Sequence, residues 1–336
     1  MVSMKDISQR CGVSVATVSK AINGHSDIGE RTAERIRNVA KEMGYLPNAA
    51  ARALKTNRTN NLGVLFSDNT HSGLTHEYFS SMLDSFKVEA EHLGYDVTFI
   101  SNNLGQYDMS YLKHCRYRKC DGVVIACVRF NDPAVMELVK SEIPVVTIDH
   151  VFNEKTAILS NNVQCVKDLV SYIYRQGHRR IAFIHGEDTA VTQKRVAGFY
   201  RTCQEFGIAV PEAYVRRGLY HDPASSAEET RALLSLSTPP TCIMYPDDFS
   251  FIGGRNVIEE MGLRIPDDIS VAGFDGIYLS EVLKPALTTV RQDTVNIGRE
   301  AARRLIAAIE EPQLALIEQV MVDGHLMPGQ SVRRLA

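Results

Sequence analysis

The residues of this 336-residue chain best placed to do chemistry are carboxylates sitting just behind apolar runs. Asp68 follows residues 62–66, Asp149 follows 145–148, Asp247 and Asp248 follow 242–245, Asp275 follows 269–274 and Asp293 follows 287–292. If those runs are strands of open α/β sheets, their carboxyl ends are where ligands gather. Carboxylates accept hydrogen bonds from hydroxyls, and Arg195 can donate to the same ligand, so a neutral polyol such as a sugar suits the set better than a purine or an amino acid. Each aspartate taken singly serves equally well as a helix cap, and only their shared position argues for a cleft. A glycosidase would also use two carboxylates, but sequence cannot pair them. No GxGxxG follows the first run, and P-loop, GxSxG and HExxH patterns are absent, so no enzyme is expected. Seven cysteines, an odd number with no CxxC pair, read as reduced thiols. The tightest group, His114, Cys115 and Cys120, fits no metal motif, so neither metal nor cofactor is expected.

A second set lies near the start. Residues 1–60 hold ten Lys/Arg against five Asp/Glu, whereas the remainder holds 27 basic against 35 acidic residues. A basic end on an acidic body points to a polyanion, which charge alone leaves as DNA, RNA or an anionic membrane surface. Ser3 can cap a helix from Met4 that Gly12 stops, with Met4, Ile7 and Ser8 inward. Ser14 can cap a second helix over 15–22, with Val18, Ala21 and Ile22 buried and Asn23-Gly24 ending it. A third helix over 30–42 places Ala33, Ile36, Val39, Ala40 and Met43 at the helical period. Two short helices joined by so tight a turn make a helix-turn-helix, whose second helix enters the major groove. Val15 and Ala16 then read shape and thymine methyls, Thr17 and Lys20 give polar reach, and Ser14, Ser19 and Asn23 meet phosphates. The plainer alternative is a three-helix docking module.

Val- and Ile-rich runs alternate with helical stretches such as 78–93 and 163–176. This predicts parallel sheets covered on both faces, in two doubly wound lobes. Between head and body, Pro47 stops the preceding helix, Asn48 can cap a new one and residues 49–55 are strong helix formers. At about two turns, that helix forms only when something packs against it. No run approaches the roughly 18 apolar residues of a membrane helix. The opening MVSMKDISQR has no leader pattern, so a cytoplasmic location is expected.

The run GVSVATVSKAING at 12–24 and the run YLPNAAARAL at 45–54 together resemble the signature and hinge of the LacI/GalR regulators. GHRRIAF at 177–183 and PALTTVRQ at 285–292 extend the resemblance over essentially the whole chain. The resemblance implies a helix-turn-helix domain over 1–46, a hinge helix and linker over 47–61, and a periplasmic-binding-protein-like body. One lobe would comprise 62–160 plus 291–320, the other 161–290 plus 321–332. It implies a homodimer on a pseudo-palindromic double-stranded operator, acting as a repressor. Tyr45, Asn48 and Ala51 of the hinge segment would join the DNA contacts, and Leu54 would wedge into a minor-groove step. Lys20 stands where the family often has Arg, replacing a planar fork with a point charge. Arg195, Asp275, Asp149 and Asp247 match effector-pocket positions, and Tyr220 falls where members often stack an aromatic on a sugar, so a mono- or disaccharide is the implied effector. Two alternatives remain at this point: a protein co-regulator in place of the small molecule, and a sugar-binding protein with no DNA role.

Overall fold

The computed structural model describes residues 2–25, 27–45, 58–67, 73–105 and 107–335. The hinge residues Asn48, Ala51 and Leu54, and the carboxylate Asp68, lie outside the described residues. The chain divides into two units, Met1–Thr59 and Asn60–Ala336.

The small unit is three helices: α1 (Met4–Cys11), α2 (Val15–Ile22) and α3 (Glu30–Glu42). Ser3 caps α1 reciprocally with Asp6, its side chain accepting from the Asp6 N–H while Asp6 accepts from the Ser3 N–H at 2.8 Å. Gly12 ends that helix in the left-handed conformation, φ 63°, which costs glycine nothing. Ser14 accepts from the Thr17 N–H at 3.1 Å and starts α2 two residues later. Ile7, Cys11, Val18, Ala21, Ala33, Ile36 and Ala40 close the core, with Tyr45 packed half-buried against it.

The larger unit begins with β1 (Asn61–Phe66), α4 (Glu77–His92), β2 (Asp96–Ile100), the hairpin β3 (Asn103–Leu104) and β4 (Tyr107–Asp108), and α5 (Tyr111–Tyr117). Then come β5 (Gly122–Ala126), α6 (Pro133–Val139), β6 (Val145–Ile148) and β7 (Thr156–Ser160). The second lobe follows with α7 (Asn162–Arg175), β8 (Ile181–His185), α8 (Ala190–Glu205), β9 (Val215–Arg217), α9 (Pro223–Leu234), β10 (Cys242–Met244), α10 (Phe251–Glu260), β11 (Ser270–Ala272), α11 (Tyr278–Val282) and β12 (Thr289–Arg291). The chain ends with α12 (Thr294–Glu310), β13 (Gln319–Val322) and β14 (His325–Met327).

Among the described residues, one parallel sheet runs β13-β7-β6-β5-β1-β2 and another runs β11-β10-β8-β9. Ile297, Ala301, Leu305 and Ile306 of α12 join the core of the first sheet, whereas Val290 of β12 joins that of the second, so the chain changes lobe between Arg291 and Thr294. It also changes lobe after β7 and after β13. Gly298 is where α12 meets α4: a Cβ there would stand 2.3 Å from the Met82 carbonyl oxygen and 2.6 Å from the Phe86 nitrogen. That close approach packs α12 against the middle of α4, whose first residues Glu77, Tyr78 and Ser81 line the cleft. In each sheet the order reverses beside one strand, β1 in the first and β8 in the second. The crevices at these reversals, beyond Phe66 and Ala126 and beyond His185 and Met244, are the places such sheets offer a ligand.

Candidate functional site

Arg195 is the centre of the cleft. It sits on α8, only 4% exposed, and its guanidinium is fixed on several sides. Nε donates to the Asn162 Oδ1 at 2.7 Å, Nη1 donates to the Pro246 carbonyl at 2.9 Å, and the Phe274 ring lies 3.6 Å below. Nη2 stands 3.8 Å from Asp275 Oδ1, near enough for charge attraction and too far for a hydrogen bond. Burial pulls the Arg195 guanidinium down, but Tyr220, Asp275, Asp149 and Tyr78 outweigh it and hold the group above its ordinary value. Charges and hydroxyls from both lobes therefore converge on one point.

Asp275 directly follows Phe274 at a left-handed φ of 96°. Its Oδ1 accepts from Gln292 Nε2 at 2.7 Å. Burial pushes its carboxyl up to about 6, Arg195 pulls it down, and Asp247 pushes it up again. From the opposite lobe Asp149, also left-handed at φ 56°, accepts from the Ser160 N–H at 2.8 Å and from the Tyr78 hydroxyl at 3.2 Å. Tyr220 donates its backbone N–H to Glu187 at 2.9 Å and pairs its hydroxyl with Thr192 at 2.9 Å. Its ring covers Gly186, where a Cβ would stand 2.2 Å from a ring carbon, and lies 5.6 Å from the Arg195 guanidinium carbon.

Asp247 and Asp248 are bound chiefly to their own lobe. Asp247 accepts from the Ser250 N–H and hydroxyl, both at 2.7 Å, and from the His221 N–H at 2.8 Å, which is the capping behaviour its position allowed. Asp248 accepts from the Thr289 hydroxyl at 2.6 Å and the Ile277 N–H at 3.0 Å, and burial raises its carboxyl well above the usual range. Asp293 caps α12 through the Asn296 N–H at 3.0 Å.

Several further residues join the cleft. His221 stacks between Phe249 (4.0 Å) and His76 (4.2 Å), so an aromatic column from the second lobe reaches the residue that precedes α4 in the first. Tyr278 donates its N–H to Glu77 at 2.7 Å across the same divide. A cavity of about 280 Å³ opens there, lined by Glu77, Tyr78 and Ser81 from one side and Asp275, Ile277 and Gln292 from the other. Gln292 had a signal, since it ends the run 285–292; the histidines had none. Among the described residues no group of three His, Cys, Asp or Glu is arranged to hold a metal ion.

On the head, Val15 is 43% exposed, and Ser14, Ala16, Lys20 and Asn23 are exposed beside it. Thr17 and Ser19 are half-buried. The Thr17 hydroxyl pairs with Ser14 at 2.9 Å, Asn23 Nδ2 donates to the Ser19 carbonyl at 2.6 Å, and Lys20 pairs with Asp27. Lys20 thus gives up a carboxylate partner if it meets a phosphate or the neutral acceptors of a guanine edge.

A model of bacterial regulatory proteins of the lacI family matches residues 3–48, and a periplasmic binding protein-like domain matches 170–332. The probable HTH-type transcriptional repressor ExuR of Bacillus subtilis (strain 168) is 30% identical over 339 residues, covering 100% of this chain and 99% of its own. The chain belongs to the lacI family. CytR of Escherichia coli (strain K12), an HTH-type transcriptional repressor, is 29% identical over 99% of this lacI-family regulator and 97% of its own length. Two solved structures share the fold. A CelR–cellobiose complex has TM-score 0.72 at 23% identity, covering 98% of this chain and 100% of its own. A lac repressor dimer bound to operator and the anti-inducer ONPF has TM-score 0.78 at 22% identity, covering 99% of each. These named relatives are transcriptional regulators rather than enzymes, and no described helix of this lacI-family chain is long and apolar enough to cross a membrane.

The buried carboxyl of this regulator makes a testable demand. Because Asp275 is raised from 3.8 to about 6, the folded state holds its proton more tightly than the unfolded chain does. Its contribution to stability is complete below about pH 4 and falls away as pH rises through 6. Asp275→Asn, which can still accept from Gln292, removes that loss. Melting curves from pH 4 to 7.5 should show the variant gaining on the parent as pH rises; parallel curves would rule out the burial argument.

Proposed function

We propose that this regulator is a repressor that binds a pseudo-palindromic operator as a homodimer in the cytoplasm and is controlled by a mono- or disaccharide held between its lobes, without catalysis. The observation that carries the effector reading is the 3.8 Å separation of Arg195 Nη2 and Asp275 Oδ1, with Asp149 and Tyr78 contributed by the other lobe. A sugar hydroxyl both donates and accepts, so one hydroxyl can bridge that pair where a direct bond is too long. Asp149 offers acceptor capacity opposite, Asp247 braces the loop that presents His221, and Tyr220 supplies an aromatic face. Asp68 completes the proposed set. The cavity of about 280 Å³ lined by Tyr78, Asp275 and Gln292 adjoins this pair at Asp275. The cellobiose bound by the CelR neighbour supports the sugar class.

The ligand favours one relative setting of the lobes, and that setting permits or forbids pairing of the hinge helices. Ser14, Val15, Ala16, Thr17, Ser19, Lys20 and Asn23 then read the operator, joined by Tyr45, Asn48, Ala51 and the wedge Leu54. The lac repressor dimer on operator supports the dimeric arrangement.

Calorimetry of the full chain against a panel of hexoses, pentoses, uronates and disaccharides tests the effector half. At least one sugar should bind, and Arg195→Ala should weaken it by about ten-fold or more. A sugar whose affinity ignores that substitution would place the site elsewhere, and silence from the whole panel beside heat from a nucleobase would remove the sugar reading. Leu54→Ala tests the hinge half: gel-shift titrations should show specific binding weakened far more than binding to random duplex. Equal losses on both would sink the wedge.

A further inference from the structure

Away from the cleft, two cysteines meet at the end of α5. Arg118 caps that helix and Lys119 follows in the left-handed conformation, φ 52°. The Cys120 N–H donates to the Cys115 carbonyl at 2.9 Å and the Lys119 N–H to the Arg116 carbonyl at 3.1 Å. This paired closure ends many helices, and it habitually presses the side chain three places before the cap against the one two places after it, usually as a contact between hydrophobic residues. Here both positions hold cysteine. Cys115 is fully buried and Cys120 is 9% exposed, so only the second has a path to solvent.

We propose that Cys115 and Cys120 form a dithiol that hydroperoxides oxidise to a disulfide within the native fold. A disulfide spans Cα atoms roughly 4.4–6.8 Å apart, a separation that the main-chain bond between these two residues keeps within reach. A thiol–thiol hydrogen bond pushes Cys115 up and pulls Cys120 down; Arg118 adds to the fall at Cys120, against burial and Asp121. Cys120 is therefore the attacking sulfur. Its thiolate takes an oxygen from hydrogen peroxide, the O–O bond breaks, and the departing hydroxide gains the thiol proton to leave as water. The Cys115 sulfur then attacks the Cys120 sulfenic acid: the S–S bond forms, the S–O bond breaks, and the hydroxyl leaves with the Cys115 proton as a second water. Two thiols lose two electrons and one peroxide is reduced.

The turn that would be bridged also clasps the first residues of the larger unit. Asn61 Nδ2 donates to the Arg118 carbonyl at 3.2 Å and approaches Cys120 Sγ at 3.7 Å. The Asn60 N–H donates to Asp121 at 2.7 Å, and the Asp121 N–H returns to the Asn61 carbonyl at 2.8 Å. Drawing Cys120 Sγ toward Cys115 takes it from Asn61, so oxidation loosens the clasp at the point where the chain arrives from the linker.

The test treats the full native chain with hydrogen peroxide, alkylates remaining thiols, and maps tryptic peptides by mass spectrometry. Fragment spectra must separate Cys120 from Cys127, which share a peptide. The expected result is a Cys115–Cys120 link, lighter by two hydrogens and reversed by dithiothreitol. It should form at least about ten-fold faster than thiol is lost at buried Cys203 and Cys242. In Cys115→Ser, dimedone should trap a sulfenic acid at Cys120. The proposal is overturned if both thiols alkylate normally at peroxide doses that oxidise Cys127, or if the link forms only in denaturant. The wild-type mapping decides even if the serine variant folds poorly.

Discussion

A guanidinium shut away from water is the constraint around which the larger unit is organised. Arg195 keeps its charge at 4% exposure because Asn162, the Pro246 carbonyl, the Phe274 ring and the Asp275 carboxylate surround it, while Asp149 and Tyr78 of the opposite lobe add their field. Burying such an ion costs several kcal/mol unless partners replace its water, and removing one partner of a buried pair costs about 3–5 kcal/mol. The elements that deliver those partners are consequently tied to one another. Asn162 opens α7 directly after the first lobe crossing, Pro246 lies two residues beyond β10, and Asp275 three residues beyond β11. Of these partners only Asn162 sits beside a lobe crossing, while Asp149 and Tyr78 act from the other lobe.

The left-handed residues fit this arrangement. Asp149 and Asp275 both leave their strands with φ above 50°, a conformation that aspartate tolerates better than most side chains. Asp149 then meets Tyr78 and Ser160, and Asp275 meets Gln292 and stands beside Arg195. The burial that raises Asp275 is thus a consequence of placing a carboxylate where it meets its partner lobe, and the site holds a less stable charge in exchange for a defined position.

Much of this was legible in the residues. The three head helices, their Ser3 and Ser14 caps and the Gly12 stop follow from local chemistry that three or four neighbouring residues decide. The long Val- and Ile-rich strands announced themselves, and the aspartates behind them marked the cleft. Short strands did not: Val215–Arg217 and Gln319–Val322 stand at sheet edges, where three or four partly exposed residues suffice and no long apolar run is needed. Nor could sequence separate a capping aspartate from one aimed at a ligand. Asp247 and Asp293 spend their oxygens on Ser250 and Asn296, whereas Asp149 and Asp275 face one another's lobe, and only tertiary structure distinguishes them. The stack of His76, His221 and Phe249 was invisible because its members come from separate segments, His76 and His221 being 145 positions apart, and carry no periodicity.

The claim that cleft occupancy and DNA grip are two readings of one equilibrium is tested most directly by reciprocity. A sugar identified by calorimetry is titrated into the free protein, and into protein saturated with a duplex selected from random sequence, at one fixed salt concentration. The account predicts dissociation constants that differ by roughly 5–150-fold between the two, with the same factor recovered when duplex affinity is measured with and without sugar. Identical sugar affinity in the presence and absence of duplex would contradict it.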